Sequence, residues 1–441
     1  MTRAHWVAPG LRGARSAACS PGLAEQPITV AYLFTTFPKT SEAFLQRDVA
    51  AMRARGVTLR LYSLWGGGGD FQGTRVEALP HWWFFVALLW WIPYESARHP
   101  AMLWELIVNA CGRRAPSALN FWENMLGAGF VTCFVHRFRR EPPDVLYAAW
   151  TGAPATAAWL FWRVLGIPYV TGAHAYDLYE HGGDWWLMEK VALARFTHAS
   201  TEMGRRTLLD RGADAAKVVL VRRGLETFPE CKPLRTPRRP LRLVCVARLV
   251  AKKGLAEQLG IYAALRNAGL EFSARIVGRG ELREELEREA GRLGLGARVE
   301  FTGEVPPADV WEHLRWADVL LHTGIVAPTG DRDGLPNVIP EAMAAGTLVV
   351  TSRVAATTEA VQDGTTGLVA DVARPEEWIA ALRRLADDDG LAGRLRAEAR
   401  RWTEEHYDAR RNAARLQACF EQAAREAGNP TRPGPAAGTL P

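Results

Sequence analysis

Asp333-Gly334-Leu335-Pro336-Asn337-Val338-Ile339-Pro340-Glu341-Ala342-Met343-Ala344-Ala345-Gly346 leads into the apolar run Leu348-Val349-Val350. Gly334 and Pro336 mark a turn. Pro336 has no N–H and suits a first helical turn, where donors lack an intrahelical partner. Pro340 restricts the helix start further, because a proline deep in a helix clashes with the turn before it. The helix is therefore expected to begin near Pro336 or Asn337. That leaves the N–H groups of Leu335, Asn337, Val338 and Ile339 unpaired at a positive dipole end, which suits an anion such as a diphosphate. Asp333 and Glu341 set two carboxylates across this turn. A carboxylate one turn into a helix can accept two hydrogen bonds from a sugar or ribose diol.

Outward from this stretch, short apolar runs alternate with helical patterns. Upstream in the same half, 241–246, 274–277, 299–302 and 319–322 read as strands, with 348–351 after the opening helix. The first half repeats the pattern, with strands at 28–34, 58–63, 145–149 and 169–171 and helices at 41–55 and 153–165. Repeated βαβ units mean parallel sheets covered by helices. The pattern breaks at 228–240, which holds four prolines. The expected organisation is a tail at 1–26, a first α/β domain at 27–228 carrying an insertion at 66–140, and a linker at 229–240. A second α/β domain follows at 241–408, then a helix at 409–427 and a tail at 428–441.

The chain of 441 residues is long enough for two domains with their own cores. Its 48% apolar and 23% charged content is that of a globular protein. The net charge of +6 suits anionic partners such as sugar nucleotides or a membrane surface. No nucleic-acid-binding motif is present, so no nucleic-acid partner is expected. Six scattered cysteines without a C-x-x-C pair fit reduced thiols in a cytosol. Residues 1–26 have no continuous apolar core, so no signal peptide is expected. No apolar run reaches the roughly 20 residues needed to span a bilayer.

Further motifs follow strand ends, where open α/β sheets bind ligands. Ala247-Arg248-Leu249-Val250-Ala251-Lys252-Lys253-Gly254 follows the strand at 241–246. Its cations suit a departing diphosphate. Ile276-Val277-Gly278-Arg279-Gly280-Glu281 offers two glycines for close backbone approach. It lacks the third glycine of a dinucleotide fingerprint. In the first half, Phe37-Pro38-Lys39-Thr40-Ser41-Glu42-Ala43-Phe44 follows the first strand, and Thr40 or Ser41 can cap the helix after it. Ile167-Pro168-Tyr169-Val170-Thr171-Gly172-Ala173-His174-Ala175-Tyr176-Asp177 places His174 just past a strand end, with Asp177 as a loop organiser.

Taken together, these strings resemble the retaining glycosyltransferases of family 4, which have the GT-B fold of two Rossmann-like domains facing a cleft. The resemblance covers roughly 28–425. It is densest at 241–370, where Asp333 and Glu341 match the acid, seven residues, then Glu of the donor-site signature. The usual first acid is Glu, so Asp333 is one methylene shorter. The Phe37 to Phe44 string is similar to the start of members that build exopolysaccharides.

The resemblance implies catalytic roles for His174, Asp333, Arg248 and Lys253. It implies donor binding by Glu341, Gly278, Gly280, Gly334, Leu335, Asn337 and Val338, with Phe37, Ser41 and Glu42 on an acceptor-side loop. It implies transfer of a sugar from a nucleotide-sugar donor to a saccharide or lipid-linked saccharide, with retention, in cell-surface polysaccharide synthesis. No metal and no cofactor is expected. The location implied is cytoplasmic, peripheral on the inner face of the cytoplasmic membrane. A nucleotide-sugar epimerase of the same fold, or a catalytically silent sugar-nucleotide-binding protein, stays open.

Three places depart from the family pattern. Arg279 and Glu281 replace a Gly-Asp-Gly-Pro string, Ala355-Ala356 replaces Gly-Gly, and Tyr147-Ala148-Ala149-Trp150 stands where relatives have His-x-His-Phe. The insertion adds its own feature, eleven consecutive apolar residues at 82–92 with four tryptophans. As a helix it is apolar all round, so it is either buried core, a membrane-docking element or a partner surface.

Overall fold

The structure is a computed structural model and describes residues 27–39, 42–78, 81–231 and 240–427. Within 81–112, and at residue 427, some side chains are not described. The expected tails at 1–26 and 428–441, most of the linker, and Ser41 with its capping role lie outside the described residues.

Two sheets form. The first runs, in spatial order, Gly69–Phe71, Thr74–Ala78, Thr58–Ser63, Thr29–Phe34, Val145–Ala148, Tyr169–Ala173, Phe196–Ala199 and Val218–Leu220. All neighbours are parallel except the antiparallel pair at 69–78. The second runs Val299–Gly303, Phe272–Val277, Leu241–Val246, Val319–His322, Leu348–Thr351 and Leu368–Val369, parallel throughout. Strands covered on both faces must be apolar at successive positions, not alternate ones. Val145–Ala148, Val319–His322 and Leu348–Thr351 are buried at every position for that reason.

Order reverses at the strand Leu241–Val246, which has Phe272–Val277 on one side and Val319–His322 on the other. The crevice beyond the carboxyl ends at such a switch point is where doubly wound sheets take ligands. The segments 247–254 and 323–337 emerge there. The final helix, Ala409–Ala427, leaves the second sheet and packs against the first, touching helix Ala43–Ala54 and strands Val145–Ala148, Tyr169–Ala173 and Phe196–Ala199. Phe420 anchors it, fully buried with its ring 5.2 Å from Tyr147 and 6.0 Å from Tyr32.

The insertion holds the hairpin at 69–78, which widens the first sheet by two strands, then helices His81–Arg98, Pro100–Gly112 and Ala118–Arg140. The described side chains of the apolar run are not buried core. Trp82, Phe85, Val86, Leu89 and Trp90 are all exposed, which goes against the buried-core alternative for these five positions. The third helix carries core, placing Phe130, Phe134 and Phe138 against Tyr62 and Phe161.

Candidate active site

The two sheets face each other across a cleft formed by two adjoining hollows of about 590 and 830 Å³ that share Lys39, Phe44, Val246, Arg248 and Asn337. The smaller lies between His174, Trp150 and Tyr176 on one wall and Lys253, Asp333 and Gly334 on the other. The larger runs over Gly278, Gly280, Val305, Trp311 and Glu341.

Helix Val338–Ala345 begins one residue later than the sequence suggests, with Asn337 before it. The Ile339 N–H is not free, since it donates to the Pro336 carbonyl at 3.0 Å. The donors left facing the cleft belong to the turn before it. The walls come close at Gly334, because a Cβ there would sit 3.6 Å from Thr201 and 3.8 Å from Ala175 of the first lobe. Leu335 and Val338 are buried beneath this turn and hold it in place.

Two lysines, two aspartates and a histidine lock together at the switch point. Lys253 Nζ lies 2.7 Å from Asp333 Oδ2, Lys252 Nζ lies 2.7 Å from Asp331 Oδ2, and His322 Nε2 lies 3.3 Å from Asp333 Oδ2. Burial raises the Asp333 carboxyl, but the Lys253 cation, His322 and Lys252 together outweigh it. The group is held well below the usual carboxylate range. Lys252, Asp331 and His322 were not singled out as site residues, although Lys252 is adjacent to Lys253 and Asp331 is two before Asp333. Both aspartates of the Asp331-Arg332-Asp333 segment thus hold lysines. Arg248 is exposed, lines both hollows and has no ion pair among the described residues.

Glu341 is met from the opposite lobe. Arg47, on helix Ala43–Ala54, reaches it at 3.0 Å. No spacing in the sequence signals this pair, which joins residues 294 apart. The glycines at 278 and 280 serve a contact within the lobe. A Cβ at Gly278 would fall 1.9 Å from the Ala247 carbonyl oxygen, and one at Gly280 would fall 2.3 Å from that of Leu249. They let two loops after strands pack backbone to backbone, and their open side forms the floor of the larger hollow. Glu304 and Val305 complete its wall, with Glu304 paired to Arg279 at 2.8 Å.

On the first lobe, His174 is 5% exposed, and its Nε2 has no hydrogen-bond partner. Burial pushes its basicity well down, with the nearby Arg223 cation and His198 adding, so the ring is neutral at ordinary pH. Nδ1 lies 3.3 Å from Ser200 Oγ. Gly172 makes room for the ring, since a Cβ there would lie 2.8 Å from His174 Nε2. Asp177 accepts the His174 backbone N–H at 3.0 Å and so organises this loop. Burial, then the nearby Asp184 charge, pushes its carboxyl up to about 7.

Trp150, where relatives carry the phenylalanine of their motif, packs edge-on against the His174 ring at 5.1 Å. Glu42 lines the smaller hollow. Phe37 does not reach it and stacks in the core on Phe34, with ring centroids 4.3 Å apart. Glu123, from the insertion, lines the same hollow near the Tyr176 hydroxyl at 3.5 Å, its carboxyl pushed up to about 6 by burial and then by Asp184.

Comparisons with known proteins agree with this architecture. Residues 230–402 match the family described as Glycosyl transferases group 1, and residues 42–227 match Glycosyltransferase Family 4. The putative colanic acid biosynthesis glycosyltransferase WcaL of Escherichia coli is 26% identical over 391 residues, covering 82% of this chain and 92% of the relative. The amylovoran biosynthesis glycosyltransferase AmsK of Erwinia amylovora is 29% identical over 205 residues, covering 45% of this chain and 50% of the relative. Among solved structures, HepE of Anabaena in complex with UDP superposes with a TM-score of 0.64 at 17% identity, over 90% of this chain and all of that one. Sucrose-phosphate synthase of Thermosynechococcus elongatus gives 0.68 at 14%, with the same coverage. At such identities the structural likeness shows the fold, which is GT-B.

Proposed function

This chain belongs to the group 1 and family 4 glycosyltransferases, and from that premise we propose that it moves a sugar, with retention, from a nucleotide-sugar to a saccharide carried on a lipid, in exopolysaccharide synthesis. One observation carries the reading. A single hollow is lined by Arg248, Lys253, Asp333 and Asn337 from one lobe and by His174 from the other. Cations therefore face a neutral imidazole across a space of sugar size.

In this reading the donor diphosphate lies against Arg248 and displaces part of the hold of Lys253 on Asp333. The turn at Leu335, Asn337 and Val338 offers it backbone donors. Asp333 and His174 orient the sugar, and Glu341 accepts the ribose diol. The bond from the anomeric carbon to the diphosphate oxygen breaks, and the diphosphate leaves with the electron pair. The acceptor hydroxyl oxygen bonds to the same carbon on the same face, and its proton passes to a diphosphate oxygen. Arginine and lysine stabilise the charge that develops on the leaving group. No metal ion or cofactor takes part, so EDTA is expected to leave transfer unchanged.

A thermal-shift screen across nucleotide sugars identifies the donor. Arg248→Ala, which loses a charge-stabilising group, and Glu341→Ala, which loses the ribose acceptor, are then each expected to lower kcat/KM by about a hundredfold or more. Full activity in both variants would reject the site. Release of an epimerised donor without any acceptor would favour the epimerase reading instead. The relatives named for colanic acid and amylovoran synthesis support the polysaccharide setting.

A further inference from the structure

We propose that the helical insertion docks this protein reversibly on an anionic lipid bilayer, with the mouth of the cleft at the membrane surface. The idea deepens the lipid-linked acceptor of the reading above and rests on it for its purpose.

The insertion turns many of its described apolar residues outward. In helix His81–Arg98, Trp82, Phe85, Val86, Leu89, Trp90 and Tyr94 recur at three- and four-residue steps, the spacing of one helical face. All are exposed, Leu89 at 80% and Trp90 at 71%. Helix Pro100–Gly112 repeats the pattern with Leu103, Trp104, Ile107 and Val108. Helix Ala118–Arg140, against which the first packs, adds exposed Leu119 and Trp122. A helix on a globular protein normally turns such a stripe to the core. An outward apolar face spread over three helices marks a protein or membrane contact.

Charge decides between those occupants. Residues 81–140 hold six arginines, three glutamates, and no lysine or aspartate. Arg98, Arg113, Arg114, Arg139 and Arg140 are exposed, although Arg113 also meets Glu189 at 3.1 Å. Of the glutamates, Glu95 is buried and Glu123 lines the cleft. Tryptophans with arginines beside them suit the interface of an anionic leaflet. No described helix is long and apolar enough to cross a membrane, so the face lies in the plane of the interface.

The position of the face gives it a use. Trp122, 67% exposed, is followed directly by Glu123, which lines the hollow beside Tyr176 and His174. One turn of one helix thus joins the apolar face to the acceptor wall.

Sedimentation with vesicles tests this, and it needs neither donor nor acceptor, so its failure is separate from failure of the transfer reading. The full chain is expected to bind vesicles of phosphatidylcholine mixed with phosphatidylglycerol, and to bind phosphatidylcholine alone about tenfold or more weakly. The variant Trp82→Ser/Leu89→Ser/Trp90→Ser/Trp104→Ser is expected to stay in the supernatant with an unchanged melting curve. Arg98→Glu/Arg114→Glu/Arg140→Glu, which keeps every apolar residue, is expected to lose the preference for the anionic vesicles. Wild type that does not bind, equal binding to neutral vesicles, or a four-residue variant that binds as well as wild type would overturn the proposal. So would a dimer in light scattering that the four-residue variant abolishes, since the face would then belong to a second copy.

Discussion

Ala355 holds a backbone φ of +66°, in the left-handed region that a Cβ disfavours. It stands at the first of two positions where the family pattern has Gly-Gly, so the geometry explains that glycine and shows what this chain lost. Relief of the left-handed strain is worth about 1–2 kcal/mol, and the added freedom of glycine in the unfolded chain costs about 0.5–1. Ala355→Gly is therefore expected to stabilise the protein by about 0.5–1 kcal/mol, read from urea unfolding. His198 makes a second prediction. Burial, then Arg223, brings its basicity down to about 4. A histidine with a depressed folded value is protonated first in the unfolded chain. Its contribution is complete above about 6.5, shrinks as pH falls, and stops changing near 4. The stability of wild type relative to His198→Gln should fall by about 3 kcal/mol across that window. Asp177, raised to about 7, acts with the opposite sign, but it is common to both proteins and drops out of the difference. At this scale the sequence was legible for candidate residues that sit in contiguous motifs at strand ends. Arg248, Lys253, Asp333, Asn337 and His174 all line the cleft. The role of Trp150 was not legible, because only its packing against His174 gives it one.

Strands and helices were readable wherever burial on both faces forces a continuous apolar run. Leu241–Val246, Val319–His322 and Leu348–Thr351 have the boundaries that their residues suggest. The hairpin at 69–78 was not readable, because Gly69, Asp70 and Gln72 give it neither alternation nor an apolar run, and it forms by adding to an edge already present. The outward face of His81–Arg98 was half readable. Its apolarity is plain, but which way it turns depends on neighbours. An element also borrows a cap from a distant part of the chain. The backbone N–H groups of Glu202 and Met203, at the start of helix Glu202–Asp210, donate to Glu359 at 2.9 and 2.7 Å, and Arg222 meets the same carboxylate at 2.6 Å. An anion at a helix N-terminus satisfies orphan donors and complements the dipole. Glu359→Ala is expected to cost about 2 kcal/mol. Hydrogen exchange locates the loss. The amides of Glu202 and Met203 should exchange faster, and Gly204, capped by the side chain of its own Thr201 at 3.0 Å, should change less.

The two lobes of the molecule are held by charge as well as by the crossing helix. Glu359 ties helix Glu202–Asp210 to the second lobe, and Arg47 ties helix Ala43–Ala54 to Glu341 across the cleft. The second tie lies on the carboxylate proposed to hold the ribose, so the same oxygen atoms serve closure without ligand and recognition with it. A nucleotide entering the larger hollow must then break the Arg47 pair before Glu341 can accept two hydroxyls. Side chains of this pair are 20% and 16% exposed, so the contact is part-screened and worth about 1 kcal/mol at most. Arg47→Gln removes the competitor and leaves Glu341 in place. Calorimetry with the nucleotide selected by thermal shift should show binding about fivefold tighter than wild type, as a difference of about 1 kcal/mol requires. The gain should shrink as salt is raised, because screening weakens the wild-type pair that the variant lacks. Weaker binding in the variant would mean that Arg47 turns from Glu341 to the nucleotide on closure, and that the first lobe supplies part of the donor site.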